Sequence, residues 1–219
     1  MGIQSFGFPS RTVEWLQRNM KIDTFIEAGT FMGGSAKEAA NLFDKVITIE
    51  KSQGLYLEAQ KNLAIISNIK CYYGCTRDHV VSHLLPKDRP LFWLDAHWSG
   101  GKTAGEDDEC PILDELALIF DKELDDYAVL IDDARLFVCP PPYPHNRKCW
   151  PNLARIAKLI PDSYSMYIYD DVVYILPPSI SDDFSGFLQS VIAKTSQYEV
   201  KSTKANTIRR IFSFLSGNS

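Results

Sequence analysis

Long apolar runs are missing from this chain: none approaches the ~20 residues that a membrane-spanning helix needs, so no membrane partner is expected. A basic excess is missing as well. The 23 Lys and Arg stand against 28 Asp and Glu, a formal net charge of -5, which argues against general nucleic-acid affinity. The five cysteines are odd in number and irregularly spaced, so no disulfide framework is expected and a reducing, cytoplasmic setting fits. A zinc site from His97, Cys110, Cys139, His145 and Cys149 has enough ligands, but the spacings match no compact zinc pattern. Residues 1–10 lack the basic start and apolar core of a signal peptide. No repeat, linker or low-complexity segment interrupts the 219 residues. One domain over 1–219 is the expectation, with an arm at 1–9, a loop at 139–150 and a basic tail at 198–219.

What is present centres on residues 24–43. A short apolar run at Phe25 and Ile26 is followed by Gly29, Gly33 and Gly34, then by Ala36, Ala39, Ala40 and Phe43 at helical spacing. Strand, glycine turn and helix in that order form a ligand cradle, because glycine lets a ligand approach the main chain and a helix start offers free N–H groups. Val46 to Ile49 reads as the next strand and ends in Glu50. An acid at the tip of the second strand can accept hydrogen bonds from ribose hydroxyls, so the pattern predicts a nucleoside-containing cofactor.

The rest of the chain keeps alternating. Helices are expected over Arg11–Met20, from Leu55 to Ile66, over Asp78–Leu85, from Pro111 to Phe120, over Leu153–Ile160 and from Asp182 to about Ser196. Strands are expected at Ile69–Tyr73, Leu91–Leu94 and Ala128–Ile131. Tyr164–Tyr169 and Val172–Leu176, separated by Asp170-Asp171, read as an antiparallel hairpin. Four prolines between Cys139 and Trp150 exclude regular structure there and suggest a functional loop. The fold class is α/β, a Rossmann-like doubly wound sheet of seven strands, mostly parallel, closed by the hairpin. Glu27, Glu50, Gly74, Asp95 and Asp132 all fall at strand carboxyl ends, where such sheets bind ligands.

These residues resemble a known family. Glu27 to Ala36 looks like the first cofactor motif of class I S-adenosylmethionine-dependent methyltransferases, and Ile47-Thr-Ile-Glu50 like their ribose-binding strand end. Gly74 to Asp78 is similar to the turn bordering adenine. Leu94-Asp-Ala-His-Trp98 and Leu130-Ile-Asp-Asp133 resemble the two metal-binding strand ends of the catechol O-methyltransferase type. Macrolide-sugar O-methyltransferases share these acidic ends. The resemblance implies an O-methyltransferase using S-adenosylmethionine and Mg²⁺ or another divalent cation on a small hydroxylated acceptor, with a homodimer allowed. It implies cofactor contacts from Glu27, Gly29, Thr30, Gly33, Gly34, Ser35, Glu50, Cys75, Thr76 and Asp95, and metal contacts from Asp95, Asp132 and Asp133.

Two departures bear on the chemistry. The lysine that serves the catechol enzymes as base is displaced here by Ala96 and by Ser99-Gly100-Gly101, leaving Lys102 further out. The last metal position, commonly an amide, is Asp133. His97, with an unperturbed pKa near neutrality, is the first candidate base, and Lys102 the second. A carboxylate that stays protonated, or Arg135 or Lys102 folding back onto the acidic cluster, is the alternative to a cation. Trp98, Tyr143 and Trp150 are expected near the acceptor, and Trp93 in the core. Two other readings stand beside this one: a dinucleotide-dependent oxidoreductase, which the absent Gly-x-Gly-x-x-Gly spacing disfavours, and a non-catalytic module of the same fold.

Overall fold

The computed structural model describes residues 7–98, 100 and 103–195. The tail at 198–219 and Lys102 lie outside the described residues, as does most of the arm. By internal contacts the chain divides into two compact units, the first ending at Ile180.

In the first unit, α1 (Ser10–Met20) leads into β1 (Thr24–Ala28), α2 (Gly34–Ala39), β2 (Lys45–Glu50), α3 (Gln53–Leu63) and β3 (Ile69–Tyr73). Then follow α4 (Thr76–His79), β4 (Pro90–Leu94), α5 (Ile112–Phe120), β5 (Ala128–Ile131), α6 (Ala134–Val138), α7 (Leu153–Ala157), β6 (Ser165–Tyr169) and β7 (Val172–Leu176). The sheet has seven strands in the order β3-β2-β1-β4-β5-β7-β6. Its first five strands in that order are parallel, and β7 is antiparallel to both β5 and β6. The chain runs outward from β1 through β2 to β3, then returns to β4 on the other side of β1. That reversal puts a crevice at the carboxyl ends of β1 and β4.

Strand alternation builds two faces. Ile26 pairs in register with Ile47 and Phe92, and Phe92 with Val129. All four are buried in one cluster with Ile112, Leu116 and Ile119 of α5. Phe25 and Trp93 point the other way, where Phe8 meets both edge-on and Phe43 packs on Phe25. Trp93 is thus a core residue, 1% exposed. Central strands buried on both faces read as continuous apolar runs, as Phe92-Trp-Leu94 and Val129-Leu-Ile131 do.

The hairpin forms as expected, with Asp170 and Asp171 at φ 52° and 65°. Two positive φ values are what a tight two-residue hairpin requires, and aspartate tolerates them better than most residues. The structure departs from the expected elements around α4 and α6. The helix expected over Asp78–Leu85 is only α4; beyond it Ser82 N–H donates to His79 O and Leu84 N–H to Val81 O, three-residue turns instead of helical bonds. Asp88 explains the turn: its carboxylate takes the Leu85 N–H and the Lys45 ammonium, pulling the chain round toward β4. The short helix α6 had no separate signal. In the second unit the chain is helical over 181–195, with Phe184 and Phe187 rings 6.0 Å apart. No helix among the described residues is long and apolar enough to cross a membrane.

Candidate active site

The strand register aligns the site. Ala28, Ile49, Leu94 and Ile131 form one row across β1, β2, β4 and β5. The next residues along are therefore Gly29, Glu50, Asp95 and Asp132. Backbone pairing continues past the strands: Gly29 N–H donates to Ile49 O, Asp95 N–H to Ala28 O and Asp132 N–H to Leu94 O. A side chain at residue 29 would meet the Asp95 carbonyl oxygen at 2.4 Å, and its φ is +94°, so only glycine fits.

Above this row lies a cavity of about 550 Å³, within the usual range for small-molecule sites. Of the expected cofactor residues, Gly29, Glu50, Cys75, Thr76 and Asp95 line it. Glu50 is 6% exposed, and its carboxylate is fixed by the N–H groups of Phe31 (2.9 Å) and Ser52 (2.8 Å). Thr30, Gly33, Gly34, Ser35 and Glu27 are not lining residues. Thr30 Oγ1 is 2.5 Å from Thr48 Oγ1, and Thr48 donates to Glu27 at 2.6 Å. Burial pushes the Glu27 carboxyl up to about 8, against the bonds from Thr48 and Ser35. Glu27 therefore supports the cradle from beneath. Gly33 caps α2 in the left-handed region, where a side chain would strike Leu63.

Phe31, Lys51, Leu55, Thr103, Ala104, Gly105, Asp108 and Pro111 also line the cavity and were not singled out from the sequence. Phe31 sits inside the glycine motif, a signal that was available. The loop residues carry no diagnostic spacing.

At the far end His97 lines the cavity. Its Nε2 lies 2.8 Å from Asp133 Oδ2 and its Nδ1 3.6 Å from Asp95 Oδ1. Arg135 Nη1 lies 2.6 Å from Asp133 Oδ1 and also pairs with Asp171 of the hairpin. Arg135 thus folds back on the acidic cluster. Burial lowers the His97 pKa, but the Asp133 hydrogen bond and the Asp95 and Asp133 charges outweigh it, and the net shift is upward. Burial raises Asp133, yet His97 and Arg135 hold it below the usual carboxylate range. Burial, with the charges of Asp132 and Asp133, pushes Asp95 up to about 7; burial, with the charge of Asp133, pushes Asp132 up to about 6.

This arrangement does not fit the three-carboxylate cation site. Both Asp133 oxygens are engaged by side-chain donors, and Asp132 Oδ1 accepts the Asp133 N–H. Among the described residues no group of three or more His, Cys, Asp or Glu is disposed to hold an ion, which also leaves the zinc grouping without a site. His145 instead faces Glu109. Trp98 and Trp150 are buried and Tyr143 is 94% exposed; none of the three lines the cavity. Trp98 and Trp150 both pack on His145, and Trp150 also meets His97.

No family model matches the chain, and no curated protein matches it. Solved structures do. The O-methyltransferase TomG from Streptomyces achromogenes, involved in tomaymycin synthesis and solved in complex with SAM, is 14% identical with a TM-score of 0.55, over 79% of this chain and 81% of that one. An O-methyltransferase from Bacillus cereus in complex with SAH is 13% identical with a TM-score of 0.53, over 78% of this chain and 82% of that one. The chain has the Rossmann-like methyltransferase fold, with its antiparallel β5-β7-β6 closure.

Proposed function

We propose that the protein is an S-adenosylmethionine-dependent O-methyltransferase acting on a small hydroxylated acceptor. The observation that carries this reading is the sheet order closed by antiparallel β7 between β5 and β6, with a cavity at the β1–β4 switch point. Structures of this fold include O-methyltransferases solved with SAM and SAH. The cavity suits a nucleoside cofactor, because Glu50 holds a fixed carboxylate at the second strand end and Gly29 leaves the main chain open.

When bound, the cofactor supplies a methyl group on a sulfonium sulfur. The chain's own part is to align an acceptor oxygen with that carbon and to remove the hydroxyl proton. His97 takes the proton, and the Asp133 carboxylate steadies the imidazolium that results. Arg135 keeps Asp133 in place from the other side. A divalent cation at this end would require Asp133 to exchange His97 and Arg135 for the ion.

Titration calorimetry tests the reading. The protein should bind S-adenosylhomocysteine and not NADH, and Glu50→Ala should weaken that binding by ~1–3 kcal/mol, the range for hydrogen bonds to a charged group. Binding of NADH in its place would make the protein an oxidoreductase. Binding without transfer of labelled methyl to any hydroxylated acceptor would favour a non-catalytic module.

A further inference from the structure

Two histidines outside the cavity lining meet beside the edge strand β3. His79 ends α4 and His83 follows four residues later, with Nδ1 of His79 3.1 Å from Nε2 of His83. The rings are nearly coplanar, 12° apart, and their centroids are separated by 5.4 Å. That separation equals the N···N distance plus one ring radius at each end, so both nitrogens lie on the line between the centroids. A shared metal ion is excluded, because two bonds of about 2.0–2.1 Å do not fit into 3.1 Å along one line. One ring therefore donates an N–H and the other accepts it. Tyr72 of β3 covers the pair, stacked on His83 at 3.9 Å and on His79 at 5.6 Å.

The charges that face the pair are positive. Lys45 of β2 and Lys70 of β3 act on His83, and the Lys45 ammonium also donates to the His83 carbonyl at 3.0 Å. Asp88, at the same corner, is taken up by Lys45 and by the Leu85 N–H. Among the described residues no carboxylate pairs with either ring. Burial, then the charges of His79, Lys45 and Lys70, keep His83 below the ordinary histidine value. A first added proton settles on the outer nitrogen of the donor ring and leaves the bond in place. A second puts a hydrogen on both inner nitrogens, and the rings must part. The pair reaches the cavity through Gly74. A side chain there would meet His79 Nε2 at 2.7 Å, and the next two residues, Cys75 and Thr76, line the cavity.

We propose that His79 and His83 form a pH-operated clasp: one hydrogen between the rings holds it closed, and a second proton opens it and loosens the turn after α4. The clasp does not depend on which ligand fills the cavity. Its sign follows from the lowered His83 value. Stability from the closed pair is complete above the ordinary histidine value of 6.5 and is lost as pH falls below it.

The test is nuclear magnetic resonance on the full chain with nitrogen-15 in its imidazoles. Near neutral pH a scalar coupling should connect His79 Nδ1 with His83 Nε2 across the hydrogen bond. On acidification the pair should take up its protons in two steps about one pH unit or more apart, as coupled sites do, and the coupling should vanish with the second. Amide exchange reads the consequence. Protection of the Val80, Ser82 and Leu84 amides, corrected for intrinsic rates, should fall about tenfold across that second step. In His83→Gln an amide oxygen takes the place of Nε2 and accepts from His79 whether or not that ring is charged, so protection should stay flat. His79→Asn replaces Nδ1 in the same way and should behave alike. Absence of the coupling, or titration of both rings in one ordinary step, overturns the proposal. So does protection that stays flat in the parent, or that falls with pH equally in parent and variants. Should a variant fail to fold, the coupling, the two steps and the exchange of the parent still decide.

Discussion

Nε2 of His97 lies 2.8 Å from Oδ2 of Asp133, a contact between the ends of neighbouring strands β4 and β5. Asp133 makes it from the left-handed region, at φ 56°, as the residue before α6. That is an uncommon conformation for a residue with a side chain, and aspartate is among the better tolerated. Arg135 and Asp171 hold it there from the hairpin side. Asp133→Asn keeps the shape and removes the charge that steadies a protonated imidazole. Methyl transfer should fall by about 10²-fold or more, the scale of general-base catalysis, while S-adenosylhomocysteine affinity stays unchanged. Equal loss of both would make the contact structural.

The same pairing bears on metal dependence. A dication at Asp133 must displace both the guanidinium 2.6 Å away and the His97 imidazole at 2.8 Å. Protein treated with a chelator should therefore retain methyl transfer and cofactor-product affinity. Loss of activity restored by Mg²⁺ or Mn²⁺ would show that Asp133 changes partners when the ion binds.

Glu27 gives the fold a pH dependence. Burial is the main cause that lifts its pKa from 4.5 to about 8. Between those values the folded chain keeps a proton that the unfolded chain releases, so stability falls as pH rises through this window. At 1.36 kcal/mol per pKa unit the loss amounts to up to ~5 kcal/mol. Glu27→Gln carries no such proton. The difference in unfolding free energy between the variant and the parent should shift in the variant's favour from about pH 5 to about pH 8, measured by urea denaturation. A gap that stays flat across that range would mean that Glu27 is ionised in the fold at low pH as well.

Much of this was legible in the sequence because the signals were local. Strand–turn–helix around Gly29, the acid at Glu50 and the hairpin at Asp170-Asp171 each depend on neighbours along the chain, and the structure places them in register. The engagement of Asp133 by Arg135 was not legible, because Arg135 meets it only through the turn of α6 and through Asp171, 36 residues away from Arg135. Asp108 was invisible for the same kind of reason. Nothing in an acidic loop marks which carboxylate Arg77, 31 residues earlier, will select. Trp98 and Trp150 were expected near an acceptor on their residue type alone, and burial turned them instead into packing around His145.

Glu109 joins the proline-rich loop to the loop that carries His97. Oε1 accepts the Asn146 N–H at 2.7 Å, Oε2 accepts the Trp150 indole N–H at 2.7 Å, and His145 Nδ1 is 3.2 Å from Oε2. Its own carbonyl accepts the Trp98 N–H at 2.7 Å. Glu109 is 2% exposed; burial raises its pKa, but these bonds outweigh that and hold it below the ordinary value. Its stabilisation is thus present above about 4.5 and is lost as pH falls through the lowered pKa. Glu109→Gln sets an amide donor against N–H groups and should cost ~2–3 kcal/mol of stability, as expected for a charged buried acceptor. The loop should also come loose. Arg147 and Lys148 are exposed in it, so trypsin should cut there faster in the variant. No residue of 139–150 lines the cavity, so S-adenosylhomocysteine affinity should hold. An unchanged cutting rate, or damage to cofactor-product binding, would mean that Glu109 does not latch this loop.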